Sequence, residues 1–134
     1  MKLFSYLIAL SFFASCTFSK KQVNCEKYRN GEFIYIPKGQ GEYIYHITRD
    51  GNIQTETEQG TDEYSKFSLH WVDDCTYEVL LIDASYHFSD SIEKIRRSVP
   101  FYAEILSGTK DYYVFRGGRR NSKVVITDTM WVIH

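Results

Sequence analysis

The chain has 134 residues, of which 43% are hydrophobic and 16% aromatic, and its formal net charge at pH 7 is −1. This length suits one domain with its own hydrophobic core. The near-zero charge argues against a nucleic-acid-binding protein, because phosphate neutralisation needs a strongly basic surface.

Residues 1–15 have the composition of an export signal. Lys2 precedes a short apolar run, and the small residues Ala14 and Ser15 stand directly before Cys16. The run is shorter than the ~20 apolar residues that a membrane-spanning helix needs. The sequence therefore predicts an exported protein with a signal peptide over residues 1–15.

The end of that signal also predicts how the protein is held at a membrane. The segment Phe13-Ala14-Ser15-Cys16 resembles the lipobox of bacterial lipoproteins. That resemblance implies cleavage before Cys16, acylation of its thiol, and anchoring in the cell envelope, facing the periplasm or the cell surface. Residues 16–24 would then form a lipidated tether and residues 25–134 the folded domain. The alternative is ordinary signal cleavage after Ser19.

The chain has three cysteines, Cys16, Cys25 and Cys75. An odd number in an exported protein calls for an explanation. Lipidation of Cys16, or its removal with the signal, leaves Cys25 and Cys75 as the only possible intrachain disulfide, in a compartment that permits one. Two buried free thiols are the alternative. Neither cysteine has the spacing of a zinc site, so we predict no metal site.

The folded region reads as short alternating segments separated by turn residues, which is typical of antiparallel β-strands. Asp50-Gly51 predicts a two-residue hairpin turn of type I′. Gln54 and Glu56 alternate with apolar or threonine side chains, which predicts that one face of their strand meets water. The predicted strands cover residues 32–36, 42–49, 52–58, 64–72, 76–83, 101–106, 112–116 and 123–133.

One segment changes to a helical period. Asp90 and Glu93 have the spacing of a capping box, with Asp90 as the N-cap. Ile92 and Ile95 begin an apolar stripe at helical spacing. The sequence predicts one short helix over residues 91–98, whose apolar side covers the preceding strand or closes one end of a barrel.

Eight strands with mostly short links predict an all-β fold. Short links join antiparallel neighbours, so the chain forms an up-and-down meander. The meander either closes into a lipocalin-like barrel or remains a half-barrel, and we favour closure because it removes the edge strands. An eight-stranded barrel is just wide enough to fill its own interior or to hold one small ligand, and the sequence leaves both open.

Several motifs support a related interpretation. Cys25, the segment Gly31-Glu32-Phe33 and residues 71–77 resemble a family of small uncharacterised bacterial lipoproteins with a lipocalin-like sheet, over roughly residues 25–80. The resemblance implies a structural framework and no catalytic motif. Some of these relatives carry a topoisomerase label, which the export signal, short length and balanced charge of this chain do not support.

Gly31 and Phe33 also carry a second resemblance. Gly31-x-Phe33 is similar to the Gly-x-Trp opening of lipocalins, in which the tryptophan pairs with an arginine from the last strand. The last predicted strand here has no arginine. The nearest ones are Arg119 and Arg120, in the preceding turn.

Two sets of side chains are candidates for ligand binding. The aromatic residues of the strands could line an apolar pocket, although aromatic residues also simply suit strands. The segment from Arg116 to Arg120 could contact an anion at a barrel mouth, with its two glycines exposing backbone N–H groups, or could be a flexible basic hairpin tip. The candidate ligand-binding residues are Tyr43, Tyr45, Trp71, Tyr77, Arg116 and Arg119.

Catalytic chemistry has little support in the sequence. The four histidines are scattered and no nucleophile elbow is present, so we predict no enzyme and no cofactor. The sequence favours a lipid-anchored envelope barrel that binds a small apolar ligand or an envelope partner. The alternative is a solid-core structural or interaction module, and a hydrolase is the least favoured class.

Overall fold

A computed structural model describes residues 22–134 of the chain. The predicted signal peptide, the predicted lipidation site at Cys16 and most of the predicted tether lie outside these residues. Within them, no helix is both long and apolar enough to cross a membrane.

Eight antiparallel strands form a closed up-and-down barrel, in which β1 pairs with both β2 and β8. The predicted all-β, lipocalin-like meander with one short helix is confirmed, and the barrel is closed rather than half-open. The strands are β1 (Gly31–Tyr35), β2 (Tyr45–Asp50), β3 (Ile53–Glu58), β4 (Tyr64–Trp71), β5 (Thr76–Ala84), β6 (Phe101–Gly108), β7 (Tyr112–Arg119) and β8 (Ile126–Ile133), with helix α1 (Asp90–Ser98) between β5 and β6.

A short 3₁₀ helix, Glu26–Tyr28, closes one end of the barrel. Tyr28 is 1% exposed, and its ring centroid lies 4.7 Å from that of Tyr113 on β7. Its hydroxyl donates a 2.6 Å hydrogen bond to the carbonyl oxygen of Thr109, in the β6–β7 turn. Tyr28 therefore plugs what we call the closed end of the barrel.

The predicted disulfide is confirmed. Cys25 and Cys75 are bonded, with their Cα atoms 5.3 Å apart. The bond joins the start of the 3₁₀ helix to the turn between β4 and β5, so it fastens the plug to the rim of the closed end. Asp73 shapes that turn, because its Oδ1 accepts hydrogen bonds from the backbone N–H groups of Cys75 and Thr76.

The interior beside the plug is solid and contains a buried arginine. The Arg49 guanidinium, carried by β2, lies 4.9 Å from the Phe33 ring centroid. The aromatic residue of the Gly-x-Phe opening thus has an arginine partner, but it comes from β2 and not from Arg119 or Arg120. The sequence did not identify Arg49 as this partner, because Arg49 is the last inward position of its strand and the tyrosines were the residues that suggested the inner side.

Two predicted local features are wrong in detail. The β2–β3 loop consists of Gly51 and Asn52, and Asp50 pairs with Ile53 in the ladder. Of these two loop residues, only Gly51 has positive φ, at +57°. This matches a type II′ turn, which has glycine at its first central position, rather than a type I′ turn. Helix α1 has Ser89 as its N-cap, and no side chain caps it.

Helix α1 lies against β5 at the other end of the barrel, which we call the mouth. Its predicted apolar stripe neither closes the barrel nor becomes buried, because Ile92 and Ile95 are each 48% exposed. Arg97 instead holds the helix in place by donating a 2.8 Å hydrogen bond to the Ile82 carbonyl oxygen and by pairing with Glu93.

Candidate functional site

The half of the barrel nearer the mouth contains a cavity of about 220 Å³. Its position follows from the plug, because large side chains fill the other half of the interior. The cavity is lined by Tyr35, Ile47, Gln54, Glu56, Phe67, Tyr77, Val79, Arg96, Phe101, Phe115, Arg119, Ile126 and Met130.

Most of the cavity wall is apolar. Ile47, Phe67, Val79, Phe115 and Met130 are all buried members of the core. They come from five strands, and each points inward because alternate residues of a strand face the same side. This wall can bury an apolar group but offers no hydrogen bonds to it.

One side of the cavity is polar, because the charged side of β3 faces inward. Gln54 is buried, and its amide accepts a 2.8 Å hydrogen bond from Nε of Arg49 and donates one of 2.8 Å to Glu56 Oε1. The prediction that this side of the strand meets water is therefore wrong. Arg49 on the neighbouring strand supplies the partner that makes burial of Gln54 possible.

Glu56 is the acidic group of the cavity. Burial raises the pKa of its carboxyl, and the hydrogen bond from Gln54 and the positive charges of Arg96 and Arg49 act in the opposite direction. Burial is the largest of these effects, because desolvation penalises the charged form. Glu56 therefore keeps its proton to a higher pH than a glutamate in water.

Two arginines stand at the rim of the cavity. The Arg96 guanidinium, from α1, lies 4.2 Å from the Phe88 ring centroid and 5.9 Å from that of Phe67. Arg119, at the end of β7, donates a 2.8 Å hydrogen bond to the Val99 carbonyl oxygen. Burial and the nearby charge of Arg96 both lower the pKa of Arg119.

A carboxylate near the rim is already satisfied. Asp128, on β8, is 5% exposed and accepts hydrogen bonds from the Tyr35 hydroxyl at 3.2 Å and from the Lys38 backbone N–H at 3.1 Å. Burial and the negative charge of Asp128 raise the pKa of Tyr35. Asp128 therefore shapes the rim without being free to bind a ligand.

A second cleft of about 320 Å³ adjoins the cavity, and the two share Glu56 and Arg96. It lies between the mouth ends of β2, β3 and β4 and the segment before α1, and it is lined by Tyr45, Glu56, Glu58, Glu63, Tyr64, Ser65, Tyr86, Phe88 and Arg96. A molecule in the cavity can therefore extend outward past Glu56 and Arg96.

The predicted site residues are divided among several places. Tyr77 and Arg119 line the cavity, and Tyr45 lines the adjoining cleft. Trp71 lies at the closed end, where its ring centroid is 4.8 Å from the Arg29 guanidinium. The other two lie outside: Tyr43 is 45% exposed in the β1–β2 loop, and Arg116 pairs with Glu104 at 2.7 Å on the outer surface.

The glycines between the arginines do not form the predicted turn. Gly117 and Gly118 lie within β7 and pair with β6. A Cβ at Gly117 would collide with the Tyr102 carbonyl oxygen and lie 3.0 Å from the Phe101 ring. The glycine therefore permits close packing beside the cavity and exposes no anion-binding N–H group at a loop tip.

Sequence reasoning missed Gln54, Glu56 and Arg96 as parts of the site. Arg96 is difficult to assign to a site from sequence, because arginine is common on the solvent side of a helix. The alternation of side chains along β2 could have identified Gln54 and Glu56. Arg49 lies on the same side of β2 as the buried Ile47, which implies a buried cation facing the neighbouring strand β3.

Comparison with protein-family models, curated proteins and solved structures gives no match, so function has to be inferred from the site itself. Residues 22–134 contain no group of three or more histidine, cysteine, aspartate or glutamate side chains that could hold a metal ion.

Proposed function

We propose that this protein is a non-enzymatic binding barrel of the bacterial cell envelope, anchored through lipid on Cys16, that takes a small, largely apolar ligand. The observation that carries the proposal is the cavity of about 220 Å³ in the mouth half of the barrel. An apolar wall with a few polar groups on one side is the usual form of a small-molecule site.

The size of the cavity limits the ligand. Drug-sized ligands occupy sites of roughly 300–1,000 Å³, and this cavity is smaller. Because Arg49, Tyr113 and Tyr28 fill the closed half, a long acyl chain has no room to run along the barrel axis. A compact ligand of one or two rings, or a short chain that extends into the adjoining cleft, fits this cavity.

An interaction module of the cell envelope is the second candidate. Beside the mouth, Val124 is 70% exposed and Val125 is 48% exposed, and such apolar side chains favour contact with a protein partner. In that case the barrel is a scaffold for the interacting surface and the cavity binds no ligand. The two candidates differ in whether an apolar molecule enters the cavity.

The test is a titration with the neutral fluorescent probe N-phenyl-1-naphthylamine, using residues 22–134 and the variant Val79→Phe. Val79 lines the cavity, so a phenylalanine there removes space and is expected to abolish the fluorescence increase. Val114→Phe is the matched control, because Val114 alternates with the buried Tyr113 and Phe115 and faces outward.

Saturable binding by the parent and Val114→Phe, with loss in Val79→Phe, would support the ligand-binding function. Equal binding by all three, or by none, would instead favour the interaction module. The lipid anchor has its own measurement, mass spectrometry of the mature N-terminus. A free amine at Lys20 without diacylglycerol on Cys16 would contradict the anchor.

A further inference from the structure

The two arginines at the rim of the cavity have no acidic partner in contact. Among residues 22–134, neither Arg96 nor Arg119 forms a salt bridge. Their hydrogen-bond and stacking partners are a backbone carbonyl and aromatic rings, which hold the side chains in place without neutralising them.

Three other cations around the mouth differ in this respect. Lys38 approaches Asp128 at 3.9 Å, Arg97 pairs with Glu93 at 2.8 Å, and Arg120 pairs with Glu78. Lys94 on α1 and Lys123 in the β7–β8 loop also form no salt bridge with the described residues, but neither lines the cavity. The cations of the cavity lining are Arg96 and Arg119, and the one acidic residue that lines it with them is Glu56. Both arginines line the apolar cavity, and Arg96 also lines the adjoining cleft.

Holding two guanidinium groups near each other is unfavourable. Burial and repulsion from Arg96 lower the pKa of Arg119, so an anion between them would relieve this repulsion. Arginine is suited to that role, because its planar fork binds a carboxylate with two parallel hydrogen bonds.

We propose that the cavity is specific for an amphiphile with one anionic head group, which lies between Arg96 and Arg119 while the apolar body enters the barrel. This rests on the proposed ligand-binding function and names its ligand class. Glu56 borders the same cavity, so a second anionic group on the ligand would meet a like charge there.

The test compares two probes of the same shape, 2-naphthoate and 2-naphthamide, by isothermal titration calorimetry with residues 22–134. The carboxylate is expected to bind at least about tenfold more tightly than the amide, because it alone accepts charge-assisted hydrogen bonds from the two guanidinium groups with a full negative charge. Arg96→Gln and Arg119→Gln should each weaken 2-naphthoate by about tenfold and change 2-naphthamide by less than about twofold.

Arg116→Gln is the matched control. It removes the same charge from the same strand, but on the outer surface, and should leave both affinities unchanged. Circular dichroism and thermal melting check that each variant is folded. If Arg119→Gln is not folded, because the hydrogen bond to Val99 is lost, the test relies on Arg96→Gln and on Arg119→Lys, which retains the charge.

The outcomes separate the two proposals. Equal affinity for the two probes would overturn the anionic head group and leave the binding barrel standing. A preference for 2-naphthoate that survives both arginine variants would overturn the assignment to Arg96 and Arg119. Failure of both probes and of N-phenyl-1-naphthylamine to bind would overturn the ligand-binding function itself.

Discussion

The Arg49 guanidinium lies 4.9 Å from the Phe33 ring centroid, inside the closed end of the barrel. It also donates hydrogen bonds to the Tyr113 hydroxyl at 2.8 Å, the Tyr28 carbonyl at 3.0 Å and Gln54 Oε1 at 2.8 Å. A buried charge is tolerated only when its donors are satisfied. Arg49 therefore links β1, β2, β3, β7 and the plug through one side chain.

Replacing Arg49 tests this role. Arg49→Met keeps much of the apolar volume but leaves the Tyr28 carbonyl and Gln54 Oε1 without the donor that Arg49 supplies, and we expect the free energy of unfolding to fall by about 3 kcal/mol. Urea unfolding followed by circular dichroism measures the change. The exposed Arg116→Met is the control, with an expected change of at most about 1 kcal/mol. Equal effects of the two substitutions would contradict the internal role of Arg49.

The disulfide makes a second contribution to the closed end. Cys25 and Cys75 are 50 positions apart, and the loop-entropy model gives about 4 kcal/mol for a loop of that length. The double variant Cys25→Ser/Cys75→Ser should lose up to this amount in urea unfolding. Reductant should destabilise the parent similarly and leave the double variant unchanged. A parent insensitive to reductant would contradict a stabilising role.

The strands were predictable because each buries one side and the side-chain period is two. Phe67, Leu69 and Trp71 mark the inner side of β4 by their composition alone. The same reasoning failed on β3, where Gln54 and Glu56 face inward. Composition assigns polar side chains to water unless a partner is known, and their partner Arg49 becomes visible only when the register between β2 and β3 is fixed.

The mouth was the least predictable part of the molecule. Arg96 is four residues after Ile92 and therefore lies on the same side of α1 as the apolar stripe, but an arginine by itself suggests a solvent-facing position, whereas the structure places it over the cavity. The extent of β7 had the same difficulty. Gly117 and Gly118 signal a turn in sequence, whereas here their missing side chains allow a close approach to β6 and to the loop after β7.

That close approach gives a third prediction. Gly117→Ala places a Cβ against the Tyr102 carbonyl oxygen and the Phe101 ring, so we expect a loss of about 1–3 kcal/mol from overpacking. Gly41→Ala is the control, because its added Cβ has nothing within 4 Å and its φ is not positive. Urea unfolding compares the two. A neutral Gly117→Ala would show that β7 is free to shift at this point.

A fourth prediction concerns Glu56 and pH. Burial raises the pKa of the folded protein's Glu56 above the ordinary value of 4.5, so the folded state holds this proton more tightly than the unfolded state. The stability gained from that proton is fully present below pH 4.5 and is lost as the pH rises through the raised pKa. Once the pH has passed the raised pKa, the ionised carboxylate is therefore a destabilising group.

Glu56→Gln removes this ionisation while keeping an oxygen that can accept the hydrogen bond from Gln54. The variant should be more stable than the parent at pH 7, with a difference that shrinks as the pH falls towards 4.5. Urea titrations across this range measure it, with exposed Glu32→Gln as a control expected to stay within about 0.5 kcal/mol throughout. A difference that does not change with pH would contradict a raised pKa.

The same substitution should also affect the mouth. The charged or titratable groups that line the cavity or the adjoining cleft with Glu56 are Tyr35, Tyr45, Glu58, Glu63, Tyr64, Tyr77, Tyr86, Arg96 and Arg119, and the charge of Arg49 also acts on it. Of the residues that line the cavity itself, Glu56 is the one that carries a carboxyl group. At a pH where Glu56 is ionised, removing its negative charge should tighten 2-naphthoate and leave 2-naphthamide unchanged, since only the anion is repelled. Equal tightening of both probes would mean that Glu56 acts through the shape of the cavity and not through its charge.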